Sequence, residues 1–122
     1  MARITDINQQ AIANEYYRRV VATSEHLQVV IMSIPPGGEV GSETHPDNDQ
    51  ALYLVAGSGT SVLDGDEQPF AAGDIVVVPA GTKHNFIASS DEPLKIITTY
   101  GPAHHPDGLI HKTKAEADAQ EN

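Results

Sequence analysis

The chain reads as an all-β sandwich or barrel, and three observations predict it. Short segments rich in branched and aromatic residues recur about every ten residues from Tyr16 to Tyr100, the spacing of strands in such folds. Gly, Pro, Asp and Ser punctuate them. Apolar residues at helical spacing are absent from the same stretch.

Residues 8–15 are polar with weak helical character and are expected to pack as an arm outside the sheet. Strands are expected over 16–21, 27–34, 41–45, 50–56, 60–63, 67–70, 75–78, 84–88 and 94–100. The first opens with Tyr16, Tyr17, Arg18 and Arg19, two residues to each face. One of these arginines reaches an anionic ligand or, with so many acidic residues available, pairs with one of them. The runs Val29-Val30-Ile31-Met32 and Ile75-Val76-Val77-Val78 are apolar on both faces. One face packs in the core and the other needs cover. Turns with a backbone mechanism divide the strands: Pro35-Pro36-Gly37-Gly38, Gly57-Ser58-Gly59, Asp64-Gly65-Asp66, Ala72-Gly73-Asp74 and Pro79-Ala80-Gly81. Residues 101–108 are too proline-rich for regular structure and long enough to fold back over a barrel mouth. Thr113 followed by Glu116 is a capping box that starts a short Ala-rich helix to about Ala119, with little apolar surface.

A chain of 122 residues suits one domain over 1–122, with a core of about 16–100 and a tail of 101–122. A net charge of −10 disfavours nucleic acid and anionic membrane surfaces as partners. There is no cysteine, hence no disulfide framework and no thiol nucleophile. The first residues show no basic patch followed by an apolar run, and no segment approaches the ~18 apolar residues of a membrane span. A soluble cytoplasmic protein is the expectation.

Side chains alternate along a strand, so Glu43 and His45 share a face, Gln50 joins Leu52 and Leu54, and His84 joins Phe86 and Ala88. If these faces are the interior, polar groups from three strands converge among apolar neighbours. Imidazole and carboxylate suit a borderline divalent metal, and two histidines with one carboxylate leave positions open for water or substrate.

The spacing Gly37-x5-Glu43-x-His45-x4-Gln50-x6-Gly57, followed by Gly73-x5-Pro79-Ala80-Gly81-x2-His84, resembles the two sequence blocks of the cupin superfamily. That resemblance implies a single cupin barrel, a double-stranded β-helix or jelly roll, with an N-terminal arm and a short C-terminal helix. It implies one divalent ion (Zn, Mn, Ni or Fe) held by Glu43, His45, Gln50 and His84. Common blocks have His at the place of Glu43, Glu at that of Gln50 and Asn at that of Ala88. The carboxylate has moved rather than vanished, so the donor set keeps one negative charge. Gln50 either coordinates through its amide oxygen or hydrogen-bonds a ligand. The Glu-x-His-Pro-Asp-x-Asp-Gln run and the tail 100–114 are similar to small bacterial cupins often labelled mannose-6-phosphate isomerase-like.

Asp47 and Asp49 lie between the ligand candidates and are expected to face solvent. His104, His105 and His111 are candidates for a lid or second metal site. The expected function is Lewis-acid chemistry on a small oxygen-rich molecule, of isomerase or lyase type. Glu43, His105 or His111, where not ligated, would serve as proton shuttle. A ferrous dioxygenase and a non-catalytic small-ligand module are the alternatives. Lys83 points away from His84 and no basic cluster marks a phosphate site. Relatives commonly dimerise, and a homodimer is expected.

Overall fold

The computed structural model describes residues 2–121. Its strands are β1 Arg18–Thr23, β2 Gln28–Ile34, β3 Asp49–Ala56, β4 Ser58–Leu63, β5 Asp66–Ala71, β6 Ile75–Val78, β7 His84–Ala88, β8 Leu94–Gly101 and β9 Ile110–His111. Helices α1 Ile7–Ala13 and α2 Lys114–Glu121 flank them. The larger sheet runs β6-β3-β8-β2-β1-β9 and the smaller β5-β4-β7. Neighbours pair antiparallel throughout. This is the double-sheet jelly roll expected of a cupin barrel.

Alternation builds the core. Leu52 and Leu54 of β3, Leu94 and Ile96 of β8, Met32 and Ile34 of β2 and Phe86 of β7 are all buried within one cluster. Each such side chain contributes roughly 1.5–3 kcal/mol of transfer free energy. Polar groups share these inward faces: Gln50, Thr98 and His84 are as buried as their apolar neighbours. The exposed face of the larger sheet is only partly covered. Helix α1 lies against β2, β3 and β8, which leaves Ile31 fully buried. Ile75 and Val77 on the edge strand β6 remain 63% exposed.

Two elements differ from the sequence expectation. Segment 41–45 is not a strand of either sheet but an extended loop tied to β7 by one bridge, Glu43↔His84, with a second, Glu39↔Ile87, just before it. Its Gly41, at φ 92°, interrupts the ladder between them. Within the tail, Ile110 and His111 form a two-residue strand on Arg18 and Arg19, too short to carry any periodicity. Helix α2 starts as its capping box requires, with the Glu116 amide donating to Thr113 Oγ1 at 3.1 Å. It is anchored by Ala117, which is buried in the core cluster.

The punctuating glycines Gly37, Gly57, Gly73 and Gly81 all have positive φ. Gly57 carries a second constraint, because a Cβ there would run into the Pro93 carbonyl. Gly73 meets nothing. Gly57→Ala is therefore expected to cost about 3–5 kcal/mol, strain plus overpacking, and Gly73→Ala about 1–2 kcal/mol, strain alone. Urea denaturation checks this, and equal losses for the two variants would contradict the packing argument.

Candidate metal centre

Backbone bonds bring the two sequence blocks together. Glu43 N donates to His84 O at 2.9 Å and His84 N donates back to Glu43 O at 2.9 Å, so the two side chains lie directly opposite on one face. Two residues on, His45 has the same facing, and its carbonyl accepts from Gly81 N at 3.0 Å. The turn that carries Gly81 closes through Thr82 N to Pro79 O at 3.1 Å. Asp49 Oδ1 clamps it by accepting from Ala80 N at 2.9 Å. Asp49 and Asp47 are both exposed; Asp49 shapes the turn rather than facing the interior.

The ligand atoms of Glu43, His45 and His84 lie within 4.8 Å of one another. Donor orientation is set from outside the site. His84 Nδ1 stands 2.9 Å from the Thr82 carbonyl; a carbonyl only accepts, so Nδ1 carries the proton and Nε2 offers its lone pair. Thr98 Oγ1 donates to Ala51 O at 2.9 Å and so accepts from Gln50 Nε2 at 3.0 Å. The amide is thereby fixed, and the buried Gln50 Oε1 has no hydrogen-bond partner among the described residues. His45 Nε2 lies 3.0 Å from Glu43 Oε2, yet makes no aligned hydrogen bond. An imidazole nitrogen and a carboxylate oxygen at that separation have the spacing of neighbouring ligands about 2.1 Å from a shared ion.

Burial pushes the Glu43 carboxyl up, but the adjacent His45 and the charges of His45, Arg18 and His84 outweigh it and hold the carboxyl below its ordinary range. His84 is held down chiefly by burial. The Glu43 carboxylate, the Gln50 amide and the His84 imidazole border a cavity of about 10 Å³, and with His45 beside them they form a donor set that fits a small dication.

The tail histidines take three different places. His104 lies against the His45 ring, centroids 4.2 Å apart, and with Glu43, Thr44 and His45 it borders an open mouth of about 290 Å³. Asn48 latches this loop, donating to Pro102 O at 2.6 Å and meeting His104 Nδ1 at 3.1 Å. His105 packs edge-on to Tyr100 at 5.2 Å, with its amide held by Gln28 Oε1 at 3.0 Å. His111 is buried away from the mouth, and contacts Arg18 NH1 at 3.1 Å and Gln120 Oε1 at 2.7 Å. With both nitrogens engaged, it holds neighbours in place. Two side chains on the cavity wall, Arg18 and Tyr100, were not singled out by motif. The signal for Arg18 is its alternation with Val20 on the inward face of β1.

The sequence matches the family described as a cupin domain over residues 30–100. An uncharacterised Bacillus subtilis protein, YrkC, is 37% identical over 98% of this chain and 67% of its own length. A Bacillus halodurans crystal structure superposes with a TM-score of 0.95 at 34% identity, covering 98% of this chain and 95% of that one. The structure of KdgF from a Halomonas species matches with a TM-score of 0.67 at 28% identity, over 71% of this chain and 78% of that one.

Burial depresses the imidazoles of His84 and His105, the latter from 6.5 to about 3. The folded chain then binds fewer protons than the unfolded chain between those values, so stability is full above about pH 6.5 and drains as pH falls towards 3. Each such group sets a slope of at most about 1.4 kcal/mol per pH unit. The urea midpoint of metal-free protein is expected to drop from pH 7 to pH 4, and His105→Gln to flatten part of that drop. A pH-independent midpoint would contradict the assignment.

Proposed function

The chain belongs to the cupin family, and on that premise we propose that it binds one divalent ion (Zn, Mn, Ni or Fe) through Glu43, His45 and His84. Gln50 Oε1 is the fourth group presented to the ion. The single observation that carries this reading is the convergence of the Glu43, His45 and His84 ligand atoms within 4.8 Å of one another, beside a buried Gln50 Oε1 that Thr98 holds in place and that has no hydrogen-bond partner among the described residues.

We read the activity as Lewis-acid chemistry on a small oxygen-rich molecule, of isomerase or lyase type. When bound, the ion would polarise a carbonyl or hydroxyl oxygen. The chain's own groups do the rest. Glu43 borders both the inner cavity and the mouth and is kept ionised at neutral pH, so its charge is available to the cation; only where it is not ligated would it take or return a substrate proton. Tyr100, His104 and His105 pack ring against ring beside the mouth. His105 and His111 act in this reading by holding the tail and Arg18, and His104 is the tail imidazole nearest the substrate. A relative 26% identical is a pectin degradation protein of Dickeya dadantii, in line with an oxygen-rich substrate. Two histidines with one carboxylate also make the donor set of non-haem iron oxygenases, and this keeps a ferrous dioxygenase as the second reading.

The open face of the larger sheet supports a homodimer. Ile75 and Val77 of β6 lie in register with Tyr53 and Ala51, an apolar strip on the outer face that a two-fold copy would cover.

Protein purified without chelators or an affinity tag for metals is expected to carry about one equivalent of divalent metal by elemental analysis. His84→Ala and Glu43→Ala should weaken binding at least ~10-fold. Iron with oxygen uptake would select the dioxygenase, and saturable ligand binding without product would select a non-catalytic module. A His84→Ala protein as metal-rich as wild type would overturn the ligand assignment. Light scattering should give a dimer for wild type and a monomer for the double variant Ile75→Glu, Val77→Glu; a wild-type monomer would contradict the interface.

A further inference from the structure

We propose that His104 is a specificity-determining residue at the mouth of this site: a hydrogen-bond acceptor that selects a ligand with a free hydroxyl group, positioned by Asn48. The inference rests on the reading of the site above and names its substrate class, small neutral hydroxy-carbonyl compounds.

The loop that carries His104 is built into the barrel. Two buried amide side chains hold it, Gln28 at the start of β2 and Asn48 just before β3. Gln28 Nε2 donates to His105 O at 2.7 Å and to Thr23 Oγ1 at 3.0 Å. Its Oε1 accepts from the backbone N–H groups of His104 at 3.1 Å and of His105 at 3.0 Å. Asn48 Nδ2 donates to Pro102 O at 2.6 Å and to Ala103 O at 3.4 Å. A side chain on a segment clamped in this way has little ordering entropy left to lose when it meets a ligand.

The same asparagine decides which nitrogen of His104 is free. Because Asn48 Nδ2 faces a carbonyl, Oδ1 is the atom that meets His104 Nδ1 at 3.1 Å. An amide oxygen only accepts, so Nδ1 carries the proton of the neutral imidazole and Nε2 keeps its lone pair. Nothing among the described residues hydrogen-bonds to Nε2, and the residue is exposed. The ring is held between aromatic neighbours, stacked on Tyr100 at 5.3 Å and 4.2 Å from the His45 ring, centroid to centroid.

Position and chemistry then define the ligand. His104 borders the mouth of about 290 Å³ together with Glu43, Thr44 and His45, two of which belong to the proposed donor set. A molecule bound there with one oxygen towards the ion sets its neighbouring group beside His104. That group meets a lone pair, and no lysine or arginine borders the mouth among the described residues. A hydroxyl donates to Nε2. An ether or carboxylate oxygen in its place would set acceptor against acceptor.

The test uses Zn-loaded and metal-free protein at about pH 8, where an imidazole of ordinary pKa is neutral, with zinc content measured in parallel. Imidazole nitrogen NMR should show His104 protonated on Nδ1 in both forms. Asn48→Asp, which keeps an acceptor opposite Nδ1, should retain that tautomer, and Asn48→Leu should lose it. A wild-type ring protonated on Nε2 would overturn the proposal. Hydroxyacetone and its methyl ether, methoxyacetone, are titrated into both forms, with binding read from protein NMR shifts. Wild type should bind hydroxyacetone about 3–10-fold more tightly, the worth of one hydrogen bond. His104→Phe, which keeps a ring against Tyr100 and His45, should abolish that preference at unchanged zinc content. Asn48→Leu should weaken it and Asn48→Asp should keep it; if Asn48→Leu does not fold, His104→Phe decides. Equal binding of the two compounds by wild type, binding of neither, or a preference that survives in His104→Phe would overturn the proposal. Failure to take up zinc would count against the metal reading alone, because the tautomer and the preference of metal-free protein still judge His104.

Discussion

The reciprocal backbone pair between Glu43 and His84 is the constraint on which the site depends. Two hydrogen bonds join residues forty-one positions apart at one isolated bridge, between a loop and β7. The facings of Glu43, His45 and His84 are registered from that point. His45 follows by alternation, its carbonyl locked by Gly81 N, and Gln50 enters from the adjoining strand β3 on the face of Leu52 and Leu54. A slip of one residue at the bridge would turn Glu43 and His45 out to solvent.

Polar groups are costly in such a core unless each is satisfied, and the barrel meets the cost selectively. Thr82, Thr98 and Asn48 fix the orientations of His84, Gln50 and His104 from outside the pocket. What is left over, the Gln50 oxygen and the His45 nitrogen, is what a cation uses. The C-terminal segment belongs to the same construction. Its loop borders the mouth through His104, its short strand pairs with Arg18, and α2 is anchored through Ala117 and Gln120.

Most of the strands were legible because period-two burial is strong in Gln50–Ala56 and Leu94–Tyr100, and because most turns have glycine or proline where the backbone demands it. The convergence of Glu43, His45 and His84 was legible as well, through glycine and proline spacing rather than hydrophobicity. Three features were not. The loop character of 41–45 depends on partners in β7 that local sequence does not specify. Strand β9 is two residues long. Sequence alone left Arg18 and Arg19 undivided between reaching a ligand and pairing with an acidic residue, since only the tail folded onto β1 shows which of them is internal. Non-local contacts decided all three.

Anomalous diffraction at the metal edge, on crystals grown with Mn or Zn, tests the central claim most directly. A single strong peak bonded to Glu43, His45 Nε2 and His84 Nε2 inside the barrel is the predicted result. Crystals of metal-saturated protein with no peak among these three side chains, or with the ion bound on the outer surface, would contradict it.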